Sequence, residues 1–227
     1  MNRNGLLLGA WIMALPTLAM ASPRPWLAAG IGGSTYAMGD VNDDIGGINA
    51  LLAGSGLKMD EITKGLNFGA SGGVDLGNGF GVGIGYDRLT ANTKISDFSG
   101  SIEYDMPANL YRALGRYSFA NTGKTRGFLE TAIGLVTPAG EVRLIAIGIG
   151  SEIGKIEGSG VAFEAGGGGE IWAGPQIALV GGVGYRHAKV SDVKIAGSSV
   201  YTASGDAYTI DYSGLFVRAG LMFALVP

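Results

Sequence analysis

Phe80-Gly81-Val82-Gly83-Ile84-Gly85-Tyr86 alternates bulky apolar side chains with bare glycine. A period of two sends these sets to opposite faces of a β-strand. Gly65 to Leu76 repeats the pattern, with Leu66, Phe68, Ala70, Val74 and Leu76 set against Gly65, Asn67, Gly69, Ser71, Gly73 and Asp75. A soluble sheet would turn its apolar face to a core and its polar face outward. Here the polar face is small and glycine-rich, which suits the cramped inside of a narrow barrel and leaves the apolar face to meet lipid.

Working outward, eight segments read as strands: 26–36, 65–76, 80–90, 104–117, 127–136, 161–172, 177–188 and 212–225. In the sixth, Val161, Phe163, Ala165 and Ile171 alternate with Glu164, Gly166, Gly168 and Glu170. The last runs Leu215, Val217, Ala219, Leu221, Phe223 and Leu225 against Gly214, Arg218, Gly220 and Ala224. Pro107 interrupts the fourth, because proline cannot donate to a ladder. Turn-forming residues make tight connections at 77–79, 121–125 and 173–176, whereas 37–64, 92–101, 137–159 and 189–208 are long. The fold class expected is all-β: an eight-stranded antiparallel up-and-down transmembrane barrel, long loops at one end, with a short helix in the first of them.

Within that first loop Ile45, Ile48, Leu51 and Leu52 recur at helical spacing, Asp43 and Asp44 are placed to cap the N-terminus, and Gly54-Ser55-Gly56 would end the helix. Met59 and Ile62 fit a further turn. An exposed apolar stripe would be costly, so this face is expected in the barrel mouth or at its rim. Arg143-Leu144-Ile145-Ala146-Ile147-Gly148-Ile149 extends the wall or forms an extra hairpin, which would raise the count to ten.

Glycine makes up 42 of 227 residues, against an ordinary ~7%, with no collagen-like period. Apolar residues at 47% exclude disorder, and a net charge of −3 implies no nucleic-acid partner. The absence of cysteine removes disulfide and thiol chemistry. Arg3, the apolar run from Leu6 to Leu15 and Ala19-Met20-Ala21 read as a cleaved signal peptide over 1–21, leaving 22–227 as the barrel domain. No later run is apolar and long enough for a spanning helix.

With these features together, the chain resembles the OmpA/OmpX-type small outer-membrane barrels of diderm bacteria. Arg218-Ala219-Gly220-Leu221-Met222-Phe223-Ala224-Leu225 is similar to their C-terminal insertion signal, carried here by Arg218, Gly220, Phe223 and Leu225. Leu225 stands where the family places its final aromatic, and Val226-Pro227 follow. The resemblance implies the bacterial outer membrane as location, termini on the periplasmic side, membrane lipid and lipopolysaccharide as surroundings, the barrel-assembly machinery as partner during insertion, and a monomer.

On the expected inner face lie Asp75, Asp87, Glu130, Glu164 and Glu170 with Arg112, Arg116, Arg186 and Arg218. A pore constriction or a carboxylate active site would use such groups. An eight-stranded barrel is only wide enough for its own side chains, so a salt-bridge network filling the lumen is the expected arrangement. His187 shares an outward face with Tyr185 and Ile177. Barrel enzymes that deacylate lipid A use an outer-wall serine and histidine two residues apart, but Lys189 stands at that spacing and Ser191 lies four away. An interfacial ring is the better reading, and Trp26, Tyr36, Tyr86, Tyr111, Tyr117, Phe119 and Tyr185 read as girdle aromatics. Asp40, Asn42, Asp43 and Asp44 lack calcium-loop spacing and read as capping and solvated residues, and Gly166 to Gly169 lacks the lysine of a phosphate loop.

No catalytic residue, cofactor or metal is expected. The functional expectation is a structural, surface-interaction or membrane-integrity role carried by the long loops. The alternatives are a narrow passive pore, a lipid-modifying barrel enzyme and a soluble lipocalin-type barrel.

Overall fold

The computed structural model describes residues 23–97, 100–119, 122–146 and 150–225. The leader at 1–21 therefore lies outside the described residues. In chain order the elements are β1 (Arg24–Thr35), α1 (Gly39–Leu51), β2 (Lys64–Gly77), β3 (Phe80–Leu89), β4 (Asn92–Ser96), β5 (Gly100–Asp105) and β6 (Ala108–Phe119). They continue with β7 (Thr125–Pro138), β8 (Glu141–Ala146), β9 (Gly150–Trp172), β10 (Ile177–Ile195), β11 (Ser198–Ser199), β12 (Ile210–Asp211) and β13 (Gly214–Ala224).

Antiparallel pairing runs β1–β2–β3–β6–β7–β9–β10–β13 and returns to β1, so eight strands close a ring without an open edge. The 143–149 stretch does not add spanning strands. Its described part, β8, pairs with β5 and β9 in a second sheet that prolongs the wall beyond the ring, while 147–149 lie outside the described residues. Pro107 divides the expected fourth strand between that upper sheet (β5) and the ring (β6).

Alternation sorts the two faces as expected. Ile84 is 72% exposed and Leu129, Leu179 and Val183 nearly as open, all on the outside, while Arg112, Arg116 and Glu164 are buried inside. An apolar exterior around a charged interior is what a wall crossing hydrocarbon requires. The β2–β3 turn holds Gly77, Asn78 and Gly79 all at positive φ (96°, 52° and 83°), which reverses the chain in the tightest space at the short-turn end. Along the inner face glycine serves close approach. A Cβ on Gly168 would overlap the Gly181 carbonyl oxygen of the neighbouring strand.

The largest apolar core lies above the lumen at the long-loop end. Inner-face residues at the upper ends of the ring, Leu89, Leu110, Val136, Ala162 and Ala188, pack with Val41 and Ile45 of α1, Met59 and Ile62, Ile156, Val190, Val193, Tyr208, Ile210 and Tyr212. Two asparagines seven apart on α1 fix the returning segment. Asn42 exchanges both amide hydrogen bonds with Ile62, its side chain accepting from the backbone N–H at 2.8 Å and donating to the carbonyl at 3.2 Å. Asn49 does the same with Met59 at 2.7 and 2.9 Å.

The helix differs from its expected form in two respects. It begins at Gly39, preceded by Met38 in a left-handed conformation with its side chain buried in the core, so Asp43 and Asp44 sit inside the helix rather than capping it. Its packed face is Val41 and Ile45, with Ile48 and Leu52 half-buried, whereas Leu51 is 88% exposed. The residues i, i+4, i+7 and i+11 from Val41 share one stripe, and Leu51 falls a hundred degrees off it.

Gly168→Ala is expected to cost about 1–3 kcal/mol of unfolding free energy through overpacking against the Gly181 carbonyl, lowering the urea midpoint. Gly174→Ala, where a Cβ meets nothing within 4 Å, should leave the midpoint unchanged. Urea refolding into lipid vesicles, followed by gel migration of unheated samples, checks both.

Candidate functional site: the lumen network and its cap

Strand alternation aims the lumen charges at one another, and they form two tiers. In the upper tier Arg112 contacts Asp87 (Nε, 2.8 Å), Glu130 (Nη1, 3.2 Å) and Glu164 (Nη1, 3.1 Å). Glu164 also accepts from Arg186 Nε at 2.6 Å and Arg218 Nη2 at 3.1 Å, so one carboxylate serves three guanidiniums. Arg218 reaches Glu130 at 3.5 Å. In the lower tier Arg116 Nη2 lies 2.7 Å from Glu170, which also accepts the indole N–H of Trp172 at 3.0 Å.

Arg126 completes the lower tier, bridging Asp75 at 3.3 Å and Glu170 at 3.8 Å. Sequence alone begins this strand at Gly127 and leaves Arg126 out of the inner-face set. The strand starts at Thr125, and the inward parity of Phe128 and Glu130 already places Arg126 on the inner face. The lumen network thus holds five carboxylates and five guanidiniums among the described residues. Aromatic rings back the cations: Arg116 lies 3.7 Å from the Phe128 ring centre and Arg218 lies 4.3 Å from that of Phe216. One cavity among these side chains is about 80 Å³, lined by Trp26, Asn67, Arg112, Arg116, Glu130 and Glu164 among others, room for a few waters. A wider one of about 1090 Å³ borders Arg126 and Glu170 at the short-turn end.

Above this lattice the cap is held by polar contacts at its rim. Asp40 accepts from the backbone N–H and the hydroxyl of Thr209 at 2.8 and 2.7 Å, and Asp44 accepts from the Tyr208 hydroxyl at 2.8 Å. The acidic cluster therefore ties α1 to the fourth long loop. The Tyr212 hydroxyl donates to the Met106 carbonyl at 3.0 Å, and its ring meets Tyr36 edge-on at 5.8 Å. Burial pushes the Tyr36 phenol up from 10.0 to about 12, with Arg186 pulling the other way. Tyr208 and Tyr212 are raised as well, each by burial first.

The outer surface separates the expected girdle into two groups. Tyr86, Tyr111, Tyr117, Phe119 and Tyr185 are exposed on the wall, with Tyr86 5.3 Å from Tyr111 and Phe80 4.9 Å from Tyr117. Trp26 and Tyr36 do not belong with them. Trp26 shares the inner face with Ala28 and Gly30, and Tyr36 has crossed into the cap core. Gly166 and Gly168 point inward and Gly167 and Gly169 outward. Arg218 and Gly220 are inner-face residues, whereas Phe223 and Leu225 face out.

His187 has a serine neighbour that spacing along the chain did not reveal. Ser213 Oγ lies 3.3 Å from His187 Nδ1, brought across by the β10–β13 pairing. That hydroxyl is buried and accepts the Ala188 N–H at 2.9 Å, while Asp211 binds the Ser213 backbone N–H. The hydroxyl fills a gap in the ladder, and the carboxylate does not orient the imidazole as a triad needs.

No protein-family model and no curated protein sequence matches the chain. Among solved structures it is similar to the neisserial surface protein NspA (TM-score 0.51, 12% identity, covering 88% of this chain and 96% of that one). It is also similar to the outer membrane protein OprG of Pseudomonas aeruginosa (TM-score 0.52, 12% identity, 91% and 97%). The chain has the fold of the small outer-membrane β-barrels. At this identity the likeness concerns architecture alone.

Each buried cap phenol is neutral in the fold, and its folded pKa exceeds the unfolded value. The stability this carries is complete below pH 10 and is lost as pH rises toward and through 12 for Tyr36. In an ultraviolet titration of the refolded protein, Tyr36, Tyr208 and Tyr212 should ionise above the ordinary phenol range, together with loss of the native gel migration.

Proposed function

We propose that this protein is exported through its cleaved N-terminal leader into the bacterial outer membrane, where it is a closed barrel rather than a pore. Its membrane part is a scaffold, and its role is structural or surface-interacting, carried by the capped extracellular end. The observation that supports this best is the apolar core packed over the lumen by α1, the returning segment around Met59 and Ile62, and the upper ends of the ring strands. Below it, the paired charges around Arg112 and Glu164 leave a cavity on the scale of a few waters.

The surroundings follow from the same reading. The exposed apolar wall and its aromatic borders suit membrane lipid and lipopolysaccharide, and Arg218, Gly220, Phe223 and Leu225 suit recognition by the barrel-assembly machinery. With no open edge in the ring, a monomer accounts for the wall. A passive pore needs a cap that lifts and charges that part from one another. A lipid-modifying enzyme needs an accessible nucleophile, whereas Ser213 is buried in the ladder.

Purified protein inserted into planar bilayers should give no stepwise conductance. A deletion of residues 39–62 that keeps heat-modifiable migration should remain nearly silent, because the ion-pair lattice still fills the lumen. Stepwise conductance from the intact chain would overturn the closed-barrel reading.

A further inference from the structure

Arg88 stands apart from the arginines of the lumen. Every lumen guanidinium lies within 4 Å of a carboxylate, and Arg143 of the upper sheet meets Glu141. Arg88 has only neutral acceptors among the described residues: Asn109 Oδ1 takes its Nη1 at 2.8 Å and the Ala139 carbonyl takes its Nη2 at 3.4 Å. Its parity on β3 is that of Ile84 and Tyr86, so it sits on the outer face, next to the last ring residue at the long-loop end. Asp105, at the root of the upper sheet, feels its charge without contacting it.

The cation is also held in place. Asn109 Oδ1 accepts from the Tyr86 hydroxyl at 2.9 Å as well as from Arg88, so one amide oxygen fixes both side chains. Tyr86 in turn lies 5.3 Å from Tyr111, an exposed aromatic pair directly below, at the level where rings favour lipid headgroups. Two hydrogen bonds leave three of the five N–H groups of a guanidinium unspent.

We propose that Arg88, oriented by Asn109 and Tyr86, binds the phosphate of a phosphorylated glycolipid headgroup in the outer leaflet. This rests on the outer-membrane reading of the wall. An oriented, un-neutralised guanidinium offers the planar fork that phosphate oxygens match, and the low-dielectric border strengthens the pairing. The acyl chains of the same molecule lie against Tyr111, Tyr86 and the apolar wall beneath. Position supplies the selectivity: a phosphate reaches this fork when a lipid holds it at headgroup depth.

The test uses the full mature chain in phosphatidylcholine nanodiscs, titrated with lipid A, with its phosphate-free analogue and with inorganic phosphate. Retention is read by native mass spectrometry. Wild type should retain lipid A saturably, should hold the phosphate-free analogue roughly fivefold more weakly, the scale of one interfacial cation, and should show no saturable uptake of inorganic phosphate. Arg88→Gln should lower lipid A retention to the level of the analogue with heat-modifiable migration unchanged. Arg88→Lys, which keeps charge but loses the fork, and Asn109→Ala, which frees the guanidinium, should fall between, and they carry the test should Arg88→Gln fail to insert. Equal retention of lipid A by wild type and these folded variants, or of both lipids by wild type, overturns the proposal. Uptake of inorganic phosphate alone would show an anion site that needs no lipid and would overturn it too. Loss of heat-modifiable migration in wild type would instead break the outer-membrane reading beneath it.

Discussion

Ten charged side chains have to share a lumen too narrow to hydrate them, and the rest of the molecule is arranged around their mutual neutralisation. A guanidinium or carboxylate taken from water without a partner costs several kcal/mol. The chain meets this by balance, with Glu164 serving Arg112, Arg186 and Arg218, and Glu170 serving Arg116 and Arg126. Bare glycines on the same inner faces follow from the space these long side chains occupy. Aromatic rings complete the filling, with Phe128 and Phe216 lying against Arg116 and Arg218.

The same chain then solves a second problem at its long-loop end, where the surroundings change from hydrocarbon to water. There β9 and β10 run on past the ring, β4, β5 and β8 add a sheet, and apolar side chains turn inward to make a core of soluble type. Helix α1 has the role of a lid, with Asn42 and Asn49 pinning the returning chain and Asp40 and Asp44 pinning the fourth loop. The long-loop end is thereby a packed platform over the lumen.

The ring was legible because strand parity is a local property. Phe80 to Tyr86 assigns both faces by itself, and Pro107 marks where one strand becomes two. Parity also reached nine of the ten lumen charges. Arg126 is hidden because Thr125 ends a segment of turn-like composition that masks the first two residues of its strand. The helix was visible but its face was not fully so: Leu51 and Leu52 are adjacent in sequence, and only the packing of Val41 and Ile45 shows that Leu52 turns in and Leu51 out. Trp26 and Tyr36 were drawn to the girdle by residue type, although Trp26's own parity matches Ala28 and Gly30. Ser213 beside His187 and Asn109 beside Arg88 lie across strand pairings, where spacing along the chain carries no signal.

The claim that neutralisation inside the lumen holds the barrel is tested most directly by a double-mutant cycle on Glu164 and Arg186, 2.6 Å apart with side chains 4% and 1% exposed. Vesicle refolding of Glu164→Gln, Arg186→Gln and the double variant gives the three free energies. Each single change should cost about 3–5 kcal/mol by stranding a buried charge. The double variant should cost less than their sum by ~2 kcal/mol or more. Additive losses, within about 0.5 kcal/mol, would contradict the account.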